Sequence, residues 1–277
     1  MPDSNKSKIN YGLVILGFIV AFFSAGIGIG GGTILVSSLM SGFKFDFKKA
    51  ASISLSTIIP ISFIGSISYF ILLSNAPPLG YYFLFIPMSI LGAVIGGRFV
   101  PKWKGSWLKL AFSLFLIVAS LRILKIIDFP SLFYYFISNI SYVNEIIVIV
   151  IFGLLVGFVA VLLGVGCGLV IVPFSVIFLG LEIHEAIRLS LTTMFFLTFS
   201  ATIVHKKLKN LDTTAMKSMF VPALIGAVTG AVISSYLPAP ILTKIFGAFL
   251  FLIACKFIVQ EISDYHKKVT SPAKINK

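Results

Sequence analysis

Apolar residues arrive in long blocks rather than in alternation with polar ones. The blocks cover Tyr11–Met40, 52–73, 81–100, 107–127, Ile146–Leu181, 186–204, 217–236 and 241–259, with short polar segments between them. Each has roughly the length that a helix needs to cross a hydrocarbon core of about 30 Å. Six are ordinary spans. Tyr11–Met40 and Ile146–Leu181 are too long: as straight helices they would measure about 45 and 54 Å, more than the usual tilts of about 0–40° can absorb. Glycines cluster inside both, at Gly26–Gly32 and Gly164–Gly168, where helix propensity is weakest. Each long block therefore reads as two short helices joined by a glycine-rich break.

The blocks repeat. A shift of 136 residues lays Gly28–Val36 (GIGGGTILV) on Gly164–Val172 (GVGCGLVIV), Asp46–Ala50 on Glu182–Ala186, and Ser54–Thr57 on Ser190–Thr193. With a slip of one or two residues, Phe85 and Pro87 match Phe220 and Pro222, Gly92 and Gly96 match Gly226 and Gly230, and Lys109 meets Lys244. A glycine cluster, an acidic turn and a hydroxyl cluster in one order mark a duplicated unit. The first unit is 11–127, a broken helix over 11–40 with spans 52–73, 81–100 and 107–127. The second is 146–260, a broken helix over 146–181 with spans 186–204, 217–236 and 241–259. The connector 128–145 joins them, and tails 1–10 and 261–277 flank them.

Composition agrees with a chain that lives in lipid. Only 11% of residues are charged, against roughly 25% in soluble domains, too few to coat a water-soluble surface. The net charge of +13 suggests nucleic acid only if its placement is ignored. The basic residues flank apolar spans, as topology-setting charges do, so lipid is the expected partner and nucleic acid is not. The positive-inside rule also gives direction. If each broken helix enters and leaves on one side, 18 of the 22 Lys and Arg face the cytoplasm, leaving Arg122, Lys125, Arg188 and Lys244 outside. If each crosses once, at most 13 of 22 do. The first arrangement puts both tails in the cytoplasm and the 128–145 connector outside, and makes the halves inverted repeats. The expected fold is thus an all-α integral membrane protein of two inverted repeats, in the cell membrane. A cleavable leader is not expected, since Phe22 and Phe23 stand where small residues would be needed.

Inverted halves with interrupted helices suit a transporter, because the two breaks can meet near the midplane. The returning helix of each break starts near Gly32 and Gly168, and a helix start offers free N–H groups and about half a positive charge to an anion. Glycine keeps Cβ atoms out of the way, although it serves close helix packing equally well. The candidate binding residues are Gly28, Gly30, Gly31, Gly32 and Thr33 in the first half, and Gly164, Gly166, Cys167 and Gly168 in the second. Ser54 and Thr57, with Ser190 and Thr193, lie three apart on one helix face and could add hydroxyls. They could instead bond back to their own helices.

Gly28–Val36 and Gly164–Pro173 resemble the duplicated GxGGGxxxVP signature of the sulfite exporter TauE/SafE family, and the pattern AxxxSL[ST]T at Ala50–Thr57 and Ala186–Thr193 extends the resemblance over nearly the whole chain. Ser37 and Cys167 depart from it, standing where the family has Pro and Gly. The resemblance implies transport of a small sulfur-containing anion such as sulfite or a sulfonate, with export as the expected direction, without fixing which anion.

The remaining polar residues carry less. Cys167 reads as a small apolar residue rather than a reactive thiol. Arg188, at an outer helix entrance, could attract departing anions but reads first as an interfacial side chain that snorkels to water, and His184 and His205 read as loop residues. All nine carboxylates fall in tails, loops or span ends, which argues against a carboxylate proton relay. Three histidines, none in an HxxxH arrangement, leave no basis for a di-metal lipid enzyme, and spans without carboxylates leave none for an intramembrane aspartyl protease. No enzyme, cofactor or metal is expected. A non-sulfur carboxylate as cargo, or a non-transporting assembly or sensor subunit, are the competing expectations.

Overall fold

The computed structural model describes residues 11–99, 105–127, 142–163, 167–207 and 213–270. The described residues form ten helices and no strand: α1 (Tyr11–Ile27), α2 (Gly32–Phe43), α3 (Phe47–Leu72), α4 (Leu79–Phe99), α5 (Gly105–Ile123), α6 (Tyr142–Leu163), α7 (Gly168–Phe178), α8 (Ile183–Lys207), α9 (Thr213–Tyr236) and α10 (Ala239–Thr270). Four of them are long and apolar enough to cross a membrane: α3, α4, α9 and α10. Large apolar side chains such as Phe18, Phe83, Leu114, Phe199, Val221 and Leu252 stand exposed on the outside, which lipid, not water, accommodates. The protein is an all-α integral membrane protein.

Two helix ends at positions matched by the 136-residue shift share one backbone geometry. At the end of α2, Lys44 is left-handed (φ 56°) and Phe45 N–H reaches back to Leu39 C=O at 3.1 Å. The corresponding Gly180 (φ 64°) ends α7, and Leu181 N–H reaches Ser175 C=O at 3.1 Å. Both are left-handed helix stops that satisfy carbonyls a helix end would leave free. The next helix then starts on an acid: the Asp46 side chain accepts from Lys49 N–H (3.4 Å), and that of Glu185 accepts from Glu182 N–H (3.0 Å).

Two central helices, α3 and α8, carry the buried polar residues. Ser52, Ser54, Ser56, Thr57, Ser62 and Ser66 are buried on α3, and Arg188, Ser190, Thr193 and Thr198 on α8. The pair runs antiparallel, since Phe63 stacks near Phe195 and Ser66 bonds Thr192 at 2.7 Å. Around them each half lends a helix to the other. Gly17 lies against Met219, and Gly26 against Gly230, so α1 runs parallel to α9. Gly92 lies against Leu154, and Gly96 against Phe158, so α4 runs parallel to α6. Gly247 meets Leu124 while Phe112 meets Phe257, so α5 and α10 run antiparallel.

Both parallel crossings are glycine-lined and close. A Cβ on Gly157 would press on the Ser89 carbonyl and stand 2.7 Å from Ala93 N, and one on Gly230 would press on the Phe22 carbonyl and stand 2.8 Å from its carbon. Here the packing role of glycine holds: backbones approach because nothing projects between them.

Candidate anion site at the glycine break

The first break is a buried loop. Gly28 (φ 71°), Gly30 (φ 85°) and Gly31 (φ 59°) are left-handed, a region that residues with a Cβ rarely occupy. Space closes the same positions: a Cβ on Gly30 would stand 2.8 Å from the Met194 thioether, and one on Gly31 would run into Val20. α2 then starts at Gly32.

The second break is described only from Cys167 onward; Gly164 and Gly166 lie outside the described residues. Cys167 is fully buried with an ordinary right-handed φ of −74° and precedes α7. The two breaks touch. A Cβ on Gly168 would stand 2.6 Å from the Ile29 carbonyl carbon, so the start of α7 packs directly on the Gly28–Ile29 backbone. The face that the first break turns to the second is therefore lined by the Gly28 and Ile29 carbonyl oxygens, the wrong polarity for an anion.

The hydroxyls divide. Ser190 Oγ donates to the Gly28 carbonyl at 2.7 Å, tying α8 to the break of the other half. Ser54 Oγ points to the Gly32 carbonyl at 3.5 Å. Thr57 Oγ1 donates to Ile53 C=O at 2.8 Å, one turn back on its own helix. Thr33 Oγ1 and Thr193 Oγ1 are buried without a partner, as is Ser24 Oγ beside Gly31. The main-chain N–H groups of Ile29, Gly30 and Gly31 find no carbonyl among the described residues, and hydrogen bonding within α2 begins at Leu35, which donates to the Gly31 carbonyl at 2.8 Å. Buried polar groups normally have partners. A run of unpaired donors at the start of a helix is the arrangement that receives a negative charge.

One element was not visible in the sequence. Ser234 Oγ, on α9, donates to the Gly26 carbonyl at 2.5 Å, and Tyr69 OH lies 2.8 Å from Ser234 Oγ and 2.9 Å from the same carbonyl. This knot fixes the last turn of α1 just before the break. Removing the Tyr69 hydroxyl deletes one buried hydrogen bond, worth about 1 kcal/mol. Tyr69→Phe is expected to fold, to melt slightly lower, and to exchange the amides around Ile27–Gly31 faster by hydrogen–deuterium exchange.

A family model described as sulfite exporter TauE/SafE matches residues 2–123 and 149–276. The chain belongs to the sulfite exporter TauE/SafE family. That membership makes it a multi-pass membrane protein of a transporter family, and the unmatched stretch falls around the connector between the halves. No curated relative and no solved structure matches the chain. Among the described residues no group of three or more His, Cys, Asp or Glu could hold a metal ion. Between α4, α6 and α8 lies a largely apolar groove of about 410 Å³, lined by Ala93, Gly97, Val161, Leu197 and Ser200 among others.

Proposed function

We propose that this TauE/SafE family member exports a small sulfur-containing anion, sulfite or an organosulfonate, and holds it at the Gly28–Thr33 break. The observation that carries this reading is the set of buried, unpaired donors: the N–H groups of Ile29, Gly30 and Gly31, with the Thr33 and Thr193 hydroxyls. Among the described residues no carboxylate bonds them. The acids near the central helices, Asp46, Glu182 and Glu185, sit at helix starts instead. The first break supplies the donors, and the second closes against its carbonyl side.

We further propose that the halves are inverted repeats with both tails in the cytoplasm. The helix directions support this. α8 runs opposite to α3, so α9 begins on the face where α3 begins, and α1, parallel to α9, begins there too. α2 leads back to that face through the short turn into α3. α4 starts where α3 ends, and α6, parallel to α4, starts on that opposite face, to which α7 returns before α8. The positive-inside rule assigns the first face to the cytoplasm.

A stability panel of sulfite, thiosulfate, sulfoacetate, taurine, sulfate and simple carboxylates tests the cargo. A ligand at a hundred times its Kd stabilises the native state by about 2.7 kcal/mol, so a clear rise in melting temperature is expected with sulfite or a sulfonate. Stabilisation by carboxylates alone would overturn the sulfur assignment.

Driving force follows from the same absence of embedded acids. An inside-negative potential expels each negative charge with about 2.3 kcal/mol per 100 mV. In proteoliposomes, flux of ³⁵S-sulfite at clamped voltage is expected to change little when a pH gradient is imposed. Flux that follows the pH gradient alone would refute this.

A further inference from the structure

Arg188 does not snorkel. It is 1% exposed, at the outer end of the α3–α8 pair. Its Nη2 donates to the carbonyls of Tyr69 and Leu73, each at 2.8 Å, which are carbonyls of the last turn of α3. Its guanidinium carbon stands 4.9 Å above the Phe70 ring. Helix-end carbonyls and a ring face both favour a cation, but they leave its Nε–H buried without an acceptor.

Across the same Phe70 ring lies Tyr82 of α4, with ring centroids 6.1 Å apart. Tyr82 is 8% exposed, and its hydroxyl is also buried without a partner. The neighbouring groups are occupied: Glu185 accepts from Glu182 N–H, His184 Nε2 lies 3.2 Å from the Ser234 carbonyl, and Tyr69 OH belongs to the Gly26 knot. Two unpaired donors, one cationic, are thus left beside one aromatic ring. A buried donor without a partner costs folding energy, and a cation with hydroxyl support is suited to an oxyanion.

We propose that Arg188 and Tyr82 form a second anion station, on the face where α3 ends, that receives a sulfur oxyanion from the Gly28–Thr33 break before its release. The anion accepts hydrogen bonds from Arg188 Nε–H and the Tyr82 hydroxyl. The station rests on the transport reading above and extends it: the break recognises the anion by neutral donors, and the outer station by a fixed positive charge. The same guanidinium ties α8 to the end of α3, so the station is complete only when both helices are in register.

Tyr82→Phe is the deciding variant, because its hydroxyl has no protein partner to lose. A purely structural role predicts a melting temperature that is unchanged or raised and unchanged transport. The station predicts that, in ³⁵S-sulfite exchange, the half-saturating concentration at the outer face of right-side-out vesicles rises about tenfold. The value at the inner face, measured in inverted vesicles, stays within about twofold. Arg188→Lys keeps the charge but lacks the Nε–H, and is expected to show the same sidedness with a larger outer-face effect. Equal shifts at both faces, or none for Tyr82→Phe, would overturn the station while leaving transport standing. A wild-type chain that neither moves nor is stabilised by sulfite, thiosulfate or a sulfonate would overturn both.

Discussion

Gly157→Leu is expected to yield no folded, monodisperse protein in detergent. Even a single Cβ at Gly157 would overlap the Ser89 carbonyl and lie 2.7 Å from Ala93 N. Both are backbone atoms of α4, and backbone cannot swing aside as a side chain can. Overpacking in ordinary cores costs about 1–3 kcal/mol, where side chains relax; here α4 and α6 must separate along their whole crossing. Gly157→Ala is expected to lose about 3 kcal/mol, a large part of a total stability of about 5–15 kcal/mol. The counterpart crossing predicts the same for Gly230→Ala, which would meet the Phe22 carbonyl. Gly42→Ala and Gly80→Ala have nothing within 4 Å of the added Cβ and are expected to be neutral or stabilising by up to about 1 kcal/mol. Size-exclusion profiles and melting temperatures of the four alanine variants separate the cases. Equal behaviour would mean that the crossings are looser than the structure describes.

Those crossings show where sequence reasoning stops. The membrane class follows from hydropathy, because a span must hide its backbone in its own helix and coat it with apolar side chains. The family follows from the duplicated glycine signature. The interruptions also have a local cause: α1 ends at Ile27 and α2 begins at Gly32, around residues that are left-handed in the structure. Partner choice is different. That α1 lies on α9 and α6 on α4, each across the halves, is long-range information absent from any window of sequence, although the matched Gly92, Gly96, Gly226 and Gly230 are its trace. Helix ends drift for the same reason. α10 continues to Thr270, beyond the apolar run that ends near 259, because a helix leaving lipid need not stop.

Site residues were partly ambiguous in principle. Thr57 and Ser190 both lie two to three turns into a central helix, yet Thr57 bonds to its own helix while Ser190 holds the Gly28 carbonyl of the other half. Spacing alone gives both options. The snorkelling reading of Arg188 fails because its partners, the carbonyls of Tyr69 and Leu73, are more than a hundred residues away in the chain. An arginine one turn after a helix start beside a predicted helix end is the signal that could have found it.

The double variant Thr33→Val, Thr193→Val is expected to lower sulfite flux by about a hundredfold or more, without loss of stability. Valine matches threonine in shape and removes only the hydroxyl. In the structure neither hydroxyl has a partner, and an unpaired buried hydroxyl opposes folding by about 1–3 kcal/mol, so the variant's melting temperature is expected to hold or rise. A hydrogen bond to a charged ligand contributes about 1.5–3 kcal/mol, which makes two worth about a hundredfold at the least. Loss of function with a gain of stability is the mark of groups kept for a ligand, and neither packing nor helix propensity produces it. Thr243→Val, whose hydroxyl already bonds Ala239 C=O at 2.7 Å far from the break, is the control and is expected to transport normally. A double variant that melts lower and still moves sulfite at the wild-type rate would show that these hydroxyls serve the fold, and would leave the Gly28–Thr33 amides to bind the anion alone.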